Sequence, residues 1–276
     1  MQKILFFVFV SAVCIGISSC EKKLDVVAEY DTNADNTKAF LKFVHASPNF
    51  RQIWNTRDSL NLFVNDVKLN TTNLTYNSIF PFSVNSSTTS ITATYAAVPA
   101  GNVRIKLSNP GATSPDSFAV MTLERQLDAG KYYTFMLTDS IKNDRDSSKI
   151  FINDEKPVPA LPGNYNLRFI YASANAVDTI DVFSFARNAN IISNLRPNAV
   201  TGFIALGYNV SVADTIMIKR KATPAGTGPI LAKFPLNAAN VGAGTLNGRS
   251  FTLYYKGDAT VTTGAKSPSV SAYLNF

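Results

Sequence analysis

The residues best suited to chemistry lie in one short run, LKFVHASPN at 41–49, which holds the only histidine of the chain. His45 would titrate near neutral pH, as a general base should, and Ser47 would share its face of an extended strand. A similar run, LRFIYASAN at 167–175, has Tyr171 in the matching position. Tyrosine does not exchange a proton near neutral pH. We therefore predict that His45 is a framework residue, packed at a strand end with one polar contact.

Metal and cofactor chemistry find little support in the sequence. Zinc prefers His and Cys ligands, and this chain has one His and two Cys. Asp31, Asn33 and Asp35 alternate like the start of a calcium loop, but residue 36 is Asn instead of Gly and residue 42 is Lys instead of Glu. The chain also lacks a G-x-S-x-G elbow, a P-loop and a dinucleotide fingerprint. We predict no metal, no cofactor and no catalytic residues.

The N-terminus has the pattern of an export signal. MQK precedes the apolar run ILFFVFVSAVCIGI, which is shorter than the roughly 20 residues that a membrane-spanning helix needs. The segment Ile17-Ser18-Ser19-Cys20 resembles the lipobox of bacterial lipoproteins. That resemblance implies cleavage after residue 19 and a lipidated Cys20, which would anchor the protein to a lipid membrane, with the outer membrane as the expected destination. Whether it faces the periplasm or the cell surface stays open.

Charge and cysteine content narrow the partners further. Cys14 would leave with residues 1–19 and Cys20 would carry lipid, so no thiol remains for a disulfide or a nucleophile. The net charge of +7 comes from scattered Lys and Arg, and the one dense cluster is residues 219–221. A nucleic-acid footprint combines clustered charge with a recognisable motif, and we predict no nucleic-acid partner.

From residue 39 onward the chain consists of short segments that are rich in β-branched and aromatic residues. Apolar residues recur at every second position in Leu60, Leu62 and Val64, and Val103, Ile105 and Leu107 alternate with charged residues. This period of two is typical of half-buried antiparallel strands. Helical periodicity over twelve or more residues is not evident.

Five segments of the first half recur in the same order in the second half. The pairs begin at residues 41 and 167, 59 and 179, 102 and 215, 130 and 248, and 147 and 269. Between the copies, prolines at 157, 159 and 162 favour an extended connection. The sequence therefore predicts an all-β chain of two tandem immunoglobulin-like antiparallel β-sandwich domains, each of about seven strands.

The predicted boundaries follow from the signal, the repeat and the prolines. Residues 1–19 form the signal peptide, and 20–38 form the lipidated Cys and a tether. Such a polar coil of about 19 residues would span roughly 25 Å. The remaining segments are domain 1 at 39–156, the linker at 157–163 and domain 2 at 164–276.

Two motifs resemble those of a known family. His45 to Pro48 match the His-Ala-Ser-Pro signature of the bacterial domain of unknown function 4397, and residues 129–134 match its Ala-Gly-x-Tyr-Tyr-Thr pattern. The second copy matches loosely, with Tyr171 and Ala174 in place of His and Pro. The resemblance implies an immunoglobulin-like fold in an exported, often lipid-anchored protein, and it implies no activity.

An Asp-Ser/Thr-aliphatic motif occurs four times, and it resembles the O-glycosylation acceptor of some Gram-negative bacteria. The candidate acceptors are Ser59, Ser140, Thr179 and Thr215. The same motif is also typical of an Asx turn that leads into a strand, and both interpretations stay open.

These observations predict a non-enzymatic lipoprotein of the cell envelope that serves as a binding, adhesive or structural module. Its ligand would be a glycan or a protein, held by loops near residues 50–56, with Trp54, and 109–116. Trp54 is equally suited to capping the core. Two alternatives remain: a glycan hydrolase whose carboxylates converge only in the fold, and a fimbrial or assembly subunit with an unpaired sheet edge.

Overall fold

The structure is a computed structural model that describes residues 37–81, 84–85, 90–91, 94–111, 119–139, 149–155, 158–208, 214–237 and 246–275. Cys20, Ser140, the signal peptide and nearly all of the predicted tether lie outside these residues. Among the described residues, no helix is long and apolar enough to cross a membrane.

The first half of the chain folds into strands and one short helix. In chain order these are β1 (Lys38–His45), α1 (Phe50–Trp54), β2 (Ser59–Val64), β3 (Val67–Lys68), β4 (Leu74–Thr75), β5 (Ile79–Phe80), β6 (Val84–Asn85), β7 (Ser90–Ile91), β8 (Ala96–Pro99), β9 (Gly101–Ser108), β10 (Ala119–Leu127), β11 (Tyr132–Leu137) and β12 (Lys149–Glu155).

The second half contains strands alone in its described part. They are β13 (Asn164–Tyr171), β14 (Ile180–Ser184), β15 (Ala189–Leu195), β16 (Ile204–Gly207), β17 (Asp214–Arg220), β18 (Ile230–Leu236), β19 (Ser250–Lys256) and β20 (Ser269–Leu274).

Each half forms two facing sheets in the same strand order. In the first half, one sheet has the order β5-β1-β11-β12, and β8 also pairs with β1. The other sheet of this half has the order β3-β2-β9-β10, and β4 also pairs with β2. The sheets of the second half have the orders β16-β13-β19-β20 and β15-β14-β17-β18. A core of its own lies between the two sheets of each half. The prediction of an all-β chain of two tandem sandwich domains is confirmed.

Two local features differ from the prediction. β1 pairs with β11 in parallel, and β13 pairs with β19 in parallel, so these sheets are mixed rather than purely antiparallel. Most of the other strands of the same domain lie between the paired strands along the chain, so no tight hairpin forces them to run in opposite directions. The helix α1 has five residues, too few to show a helical period.

The two domains pack against each other through the sheets that contain β1 and β13, which we call the inner sheets. In β1, Leu41 and Phe43 point into the core of domain 1. The alternate side chain, Val44, joins Met136, Ile170 and Tyr254 in a third apolar cluster between the domains. The strands at this interface are therefore buried on both faces.

The order of contacts shows that β1 and β13 run in the same direction. After β1, Asn49 bonds to Asp258, which follows β19. Farther from that end, Asn275, which lies beside the start of β19, donates its side-chain amide to the Tyr95 hydroxyl at 3.0 Å, and Tyr95 directly precedes Ala96, the partner of Leu41 in β1. The loops that follow β1 and β13 thus share one end of the molecule, the loop pole (residues 46–58, 138–139, 172–179 and 257–268). The opposite end is the linker pole (residues 37–38, 99–101, 128–131, 158–163 and 246–249).

Candidate functional site

His45 lies at the end of β1 with none of its surface exposed. Its ring centroid is 5.3 Å from that of Phe50 and 6.4 Å from that of Tyr76. Neither ring nitrogen has a hydrogen-bond partner within the described part of the chain. Burial lowers the pKa of His45 to about 3, because a charged imidazolium would lose its hydration. The ring is therefore neutral, and the predicted polar contact does not occur among the described residues.

Ser47 does not pair with His45. Its hydroxyl donates instead to the Asp139 carboxylate, in a bond between buried side chains. The other oxygen of that carboxylate accepts the Asn49 backbone N–H at 2.9 Å. The described contacts of Ser47 thus tie it to Asp139 of the neighbouring loop and not to His45.

The structure brings together polar residues that the sequence analysis did not connect. The Asn49 side-chain amide donates to Asp258 Oδ2 at 2.6 Å, across the boundary between the domains. Asn175 donates to the same oxygen at 3.0 Å, from within domain 2. Asp258 Oδ1 accepts bonds from the Thr260 N–H and hydroxyl at 2.9 and 2.7 Å. We call Ser47, Asn49, Asp139, Asn175 and Asp258 the joint.

The environment of the joint moves the pKa values of its two carboxyl groups in opposite directions. Burial raises the pKa of Asp139 to about 6, and the negative charge of Asp258 adds to that shift. Burial also works against ionisation of Asp258, but the hydrogen bonds from Thr260, Asn49 and Asn175 outweigh it and lower the pKa of Asp258. Separated pKa values are a feature of acid and base pairs in enzymes.

Two further titratable groups lie beside the joint. The Lys256 ammonium is 5.2 Å from the centre of the Tyr76 ring and 3.2 Å from the Ser269 hydroxyl. Burial lowers the pKa of Lys256 to about 8. Burial and the charges of Asp139 and Asp258 raise the pKa of the Tyr76 hydroxyl. This region is therefore poorly solvated.

The joint fits a structural tie better than a reaction centre. Asp139 is 3% exposed and Asp258 is 4% exposed, and all four carboxylate oxygens already accept hydrogen bonds. A glycosidase needs two carboxyl groups that face a bound sugar. Within the described residues, no group of three or more His, Cys, Asp or Glu side chains is arranged to hold a metal ion.

Trp54 caps the core of domain 1. The helix α1 places its ring 6.2 Å from the ring of Phe50, and only 8% of the residue is exposed. Little of the ring is exposed, which fits the core-capping alternative, and the ligand contact at Trp54 stays a prediction. The two predicted ligand loops do meet, since the Thr56 hydroxyl bonds to the Asn109 side chain. Residues 112–116 of the second loop lie outside the described part.

The candidate glycosylation sites have different surroundings. Ser59 opens β2 and is half-buried, and Thr179 is half-buried directly before β14. Thr215 lies inside β17, paired with Pro235. Its neighbour Asp214 accepts bonds from Ser184, Ala186 and Arg187. The aspartate of the Thr215 motif is thus part of a local hydrogen-bond network.

Comparison with known proteins adds little to this description. No model of a known protein family matches the chain, so the resemblance to domain of unknown function 4397 stays a prediction. No curated protein matches it. Among solved structures, it is similar to a family 26 carbohydrate-binding module of Amy13K from Eubacterium rectale, in complex with maltoheptaose. That match has 11% identity and a TM-score of 0.22, and it covers 85% of this chain and 96% of the module. Such a low score does not establish a shared fold or ligand.

Proposed function

We propose that this protein is a non-enzymatic module of the cell envelope, anchored to the outer membrane through a lipidated Cys20, which presents a ligand-binding surface at its loop pole. The ligand is a glycan or a protein. The observation that supports this proposal is the joint, because it ties loops of both domains together at one end of the molecule.

Tandem domains normally move relative to each other unless their interface is large and hydrophobic. Here an apolar cluster of both inner sheets is buried between the domains. The hydrogen bond from Asn49 to Asp258 connects the loops of the two domains at the loop pole. Loops held in this way lose less conformational freedom on binding, which favours affinity. The loop pole is thus a preorganised surface made by two domains.

The exposed groups of the loop pole suit recognition. Within the loop pole, Arg51 lies 3.7 Å from Asp58, and Asp178 lies 2.9 Å from Arg220 at the adjacent end of β17. All four side chains are largely exposed, so these ion pairs contribute little to stability and their charges are accessible. Val177 is 82% exposed beside them. Charged groups around an apolar residue are common at binding surfaces.

A binding screen with surface variants tests this proposal. The labelled protein would be applied to arrays of glycans and of envelope proteins, together with Arg51→Glu and Val177→Asp. Each variant should lose most of the binding while keeping the fold, because both positions are exposed. Val67→Asp is the matched control, since Val67 is 48% exposed and pairs with Val64, at the end of β2 that lies away from the loop pole. Binding that depends on Val67 but not on the loop pole would contradict the proposal.

The hydrolase alternative has one observation in its favour, the raised pKa of Asp139 beside Asp258. If the joint were catalytic, the protein would release reducing sugars from envelope polysaccharides, and Asp139→Asn would abolish the release. We expect no release by either form. Turnover by the unaltered protein that is lost in Asp139→Asn would replace the binding proposal.

The assembly alternative is not favoured by the two edges of one sheet of domain 2, the sheet ordered β15-β14-β17-β18. The edge strand β18 carries exposed Lys233 and Pro235, which hinder the addition of another strand. The other edge strand, β15, pairs with β14 through two register shifts. Bulged and charged edges are poor templates for polymerisation.

A further inference from the structure

We propose that the linker pole rests on the lipid surface, with Val158 and Leu161 entering the headgroup region of an anionic membrane. This inference rests on the anchor proposed at Cys20, and it adds an orientation: the loop pole faces away from the membrane.

The first observation is an exposed apolar pair in the linker. Val158 is 61% exposed and Leu161 is 76% exposed. The backbone between them is fixed to domain 2, because the Ala160 N–H donates to the Gly248 carbonyl at 3.0 Å and the Ser250 hydroxyl donates to the Val158 carbonyl at 2.6 Å. Both side chains are therefore held at the surface by a bonded backbone. Exposed apolar groups of this kind mark sites of interaction with proteins or membranes.

The second observation is the point at which the N-terminal segment joins domain 1. The Thr37 carbonyl accepts the Ala100 N–H at 3.0 Å, and the Lys38 carbonyl accepts the Gly130 N–H at 2.8 Å. These contacts lie at the start of β1, and the linker lies at the start of β13. Since β1 and β13 run in the same direction, the segment that leads back to Cys20 departs from the pole that carries Val158 and Leu161.

The third observation is the charge of this pole. Its described charged residues are Lys38, Lys131 and Arg249 against Asp128. Basic residues near a membrane are attracted to anionic headgroups, and an apolar contact together with a basic patch is the usual combination in surface binding. The loop pole has a different charge balance, because its described charged residues are Arg51, Arg57 and Lys266 against Asp58, Asp139, Asp178 and Asp258.

A depth measurement tests the orientation independently of the natural anchor. The mature chain from residue 20, with Cys20→Ser and an N-terminal histidine tag, would be held on vesicles of phosphatidylethanolamine, phosphatidylglycerol and a nickel-chelating lipid. The Leu161→Cys substitution then provides the one thiol of that chain, to which an environment-sensitive fluorophore is attached. Val177→Cys, on the loop pole and 82% exposed, is the matched control.

We expect the label at position 161 to shift to shorter wavelength and to be quenched when the vesicles contain brominated acyl chains. The label at position 177 should show neither effect. An unchanged label at 161, or equal quenching at both positions, would overturn the inference.

A second arm tests the anchor by itself. The natively produced chain, and the chain from residue 20 with Cys20→Ser, would each be mixed with the same vesicles without chelating lipid and floated on a density gradient. Equal flotation of the two chains would reject the anchor at Cys20, whereas the quenching result would still decide the orientation.

Discussion

At the scale of single residues, His45 and Tyr171 show how the two copies use one position differently. Both are buried at the end of the first strand of their domain. The Tyr171 hydroxyl extends beyond the ring and donates to the Asp178 carbonyl at 3.1 Å. His45 has a smaller ring, and its nitrogens reach no partner among the described residues. The position therefore requires a flat ring and does not require a proton donor or acceptor.

Replacing His45 by Phe should stabilise the protein in acid. Because the folded-state pKa is lowered from 6.5 to about 3, protons bind to the unfolded chain between these values, and stability falls as the pH falls below 6.5. At pH 5 this loss amounts to about 2 kcal/mol. Urea unfolding at pH 7.5 and pH 5 should show that His45→Phe lacks this loss. Equal pH dependence in both proteins would mean that His45 is hydrated in solution.

The pH dependence of stability that Asp139 contributes should have the opposite sign to that of His45. Its folded-state pKa is raised from 3.8 to about 6, so the folded protein holds a proton that the unfolded chain releases. The resulting stabilisation is complete below pH 3.8 and is lost as the pH rises through 6. Relative to Asp139→Asn, the unaltered protein should therefore lose stability between pH 4.5 and pH 7 in urea unfolding. A gain over this range would contradict the buried position of the carboxyl group.

At the scale of elements, the strands of the inner sheets explain why two sandwiches form one body. β1 and β19 are buried along almost their whole length, because one face meets the domain core and the other meets the neighbouring domain. Strands buried on both faces have nearly continuous apolar runs. The segments AFLKFV and FTLYY show this pattern. Their continuous apolar runs indicate strands that are buried on both faces, which an alternating pattern does not indicate.

Two amides of the joint allow a matched test of the contact between these elements. Asn49→Ala removes the bond that crosses between the domains, and Asn175→Ala removes a bond to the same oxygen from within domain 2. We expect Asn49→Ala to lower the free energy of unfolding by about 1.5–3 kcal/mol, the range for a hydrogen bond to a charged group. It should also speed amide exchange in both loops, 46–49 and 257–260.

Asn175→Ala should raise exchange in domain 2 alone, because its bond does not cross the interface. Identical exchange patterns in the two variants would show that the joint does not couple the domains.

At the scale of the whole molecule, the two domains should unfold together. The cluster between the inner sheets includes Ala172 and Tyr254, each 1% exposed. Calorimetry should therefore give one transition, with equal calorimetric and van't Hoff enthalpies. Ala172→Asp buries an unpaired charge at the interface and should split this transition into two. Ala129→Asp, in an exposed turn, should leave a single transition. Two transitions in the unaltered protein would show that the domains are independent.

The sequence by itself determined the β class, the repeat and the Pro-rich connection, because alternating apolar residues, recurring segments and proline spacing are local properties of the chain. Only the tertiary structure decided what covers each strand. Periodicity shows that a face is buried but not which surface buries it, and Asn49 meets Asp258 across 209 positions. The same limit applies to Trp54, whose exposure depends on how α1 packs, and to Asp139, whose pKa depends on burial and on a charge from the other domain. LKFVHASPN is therefore an opening strand by its sequence, and it is part of an interdomain joint only because two sheets pack face to face.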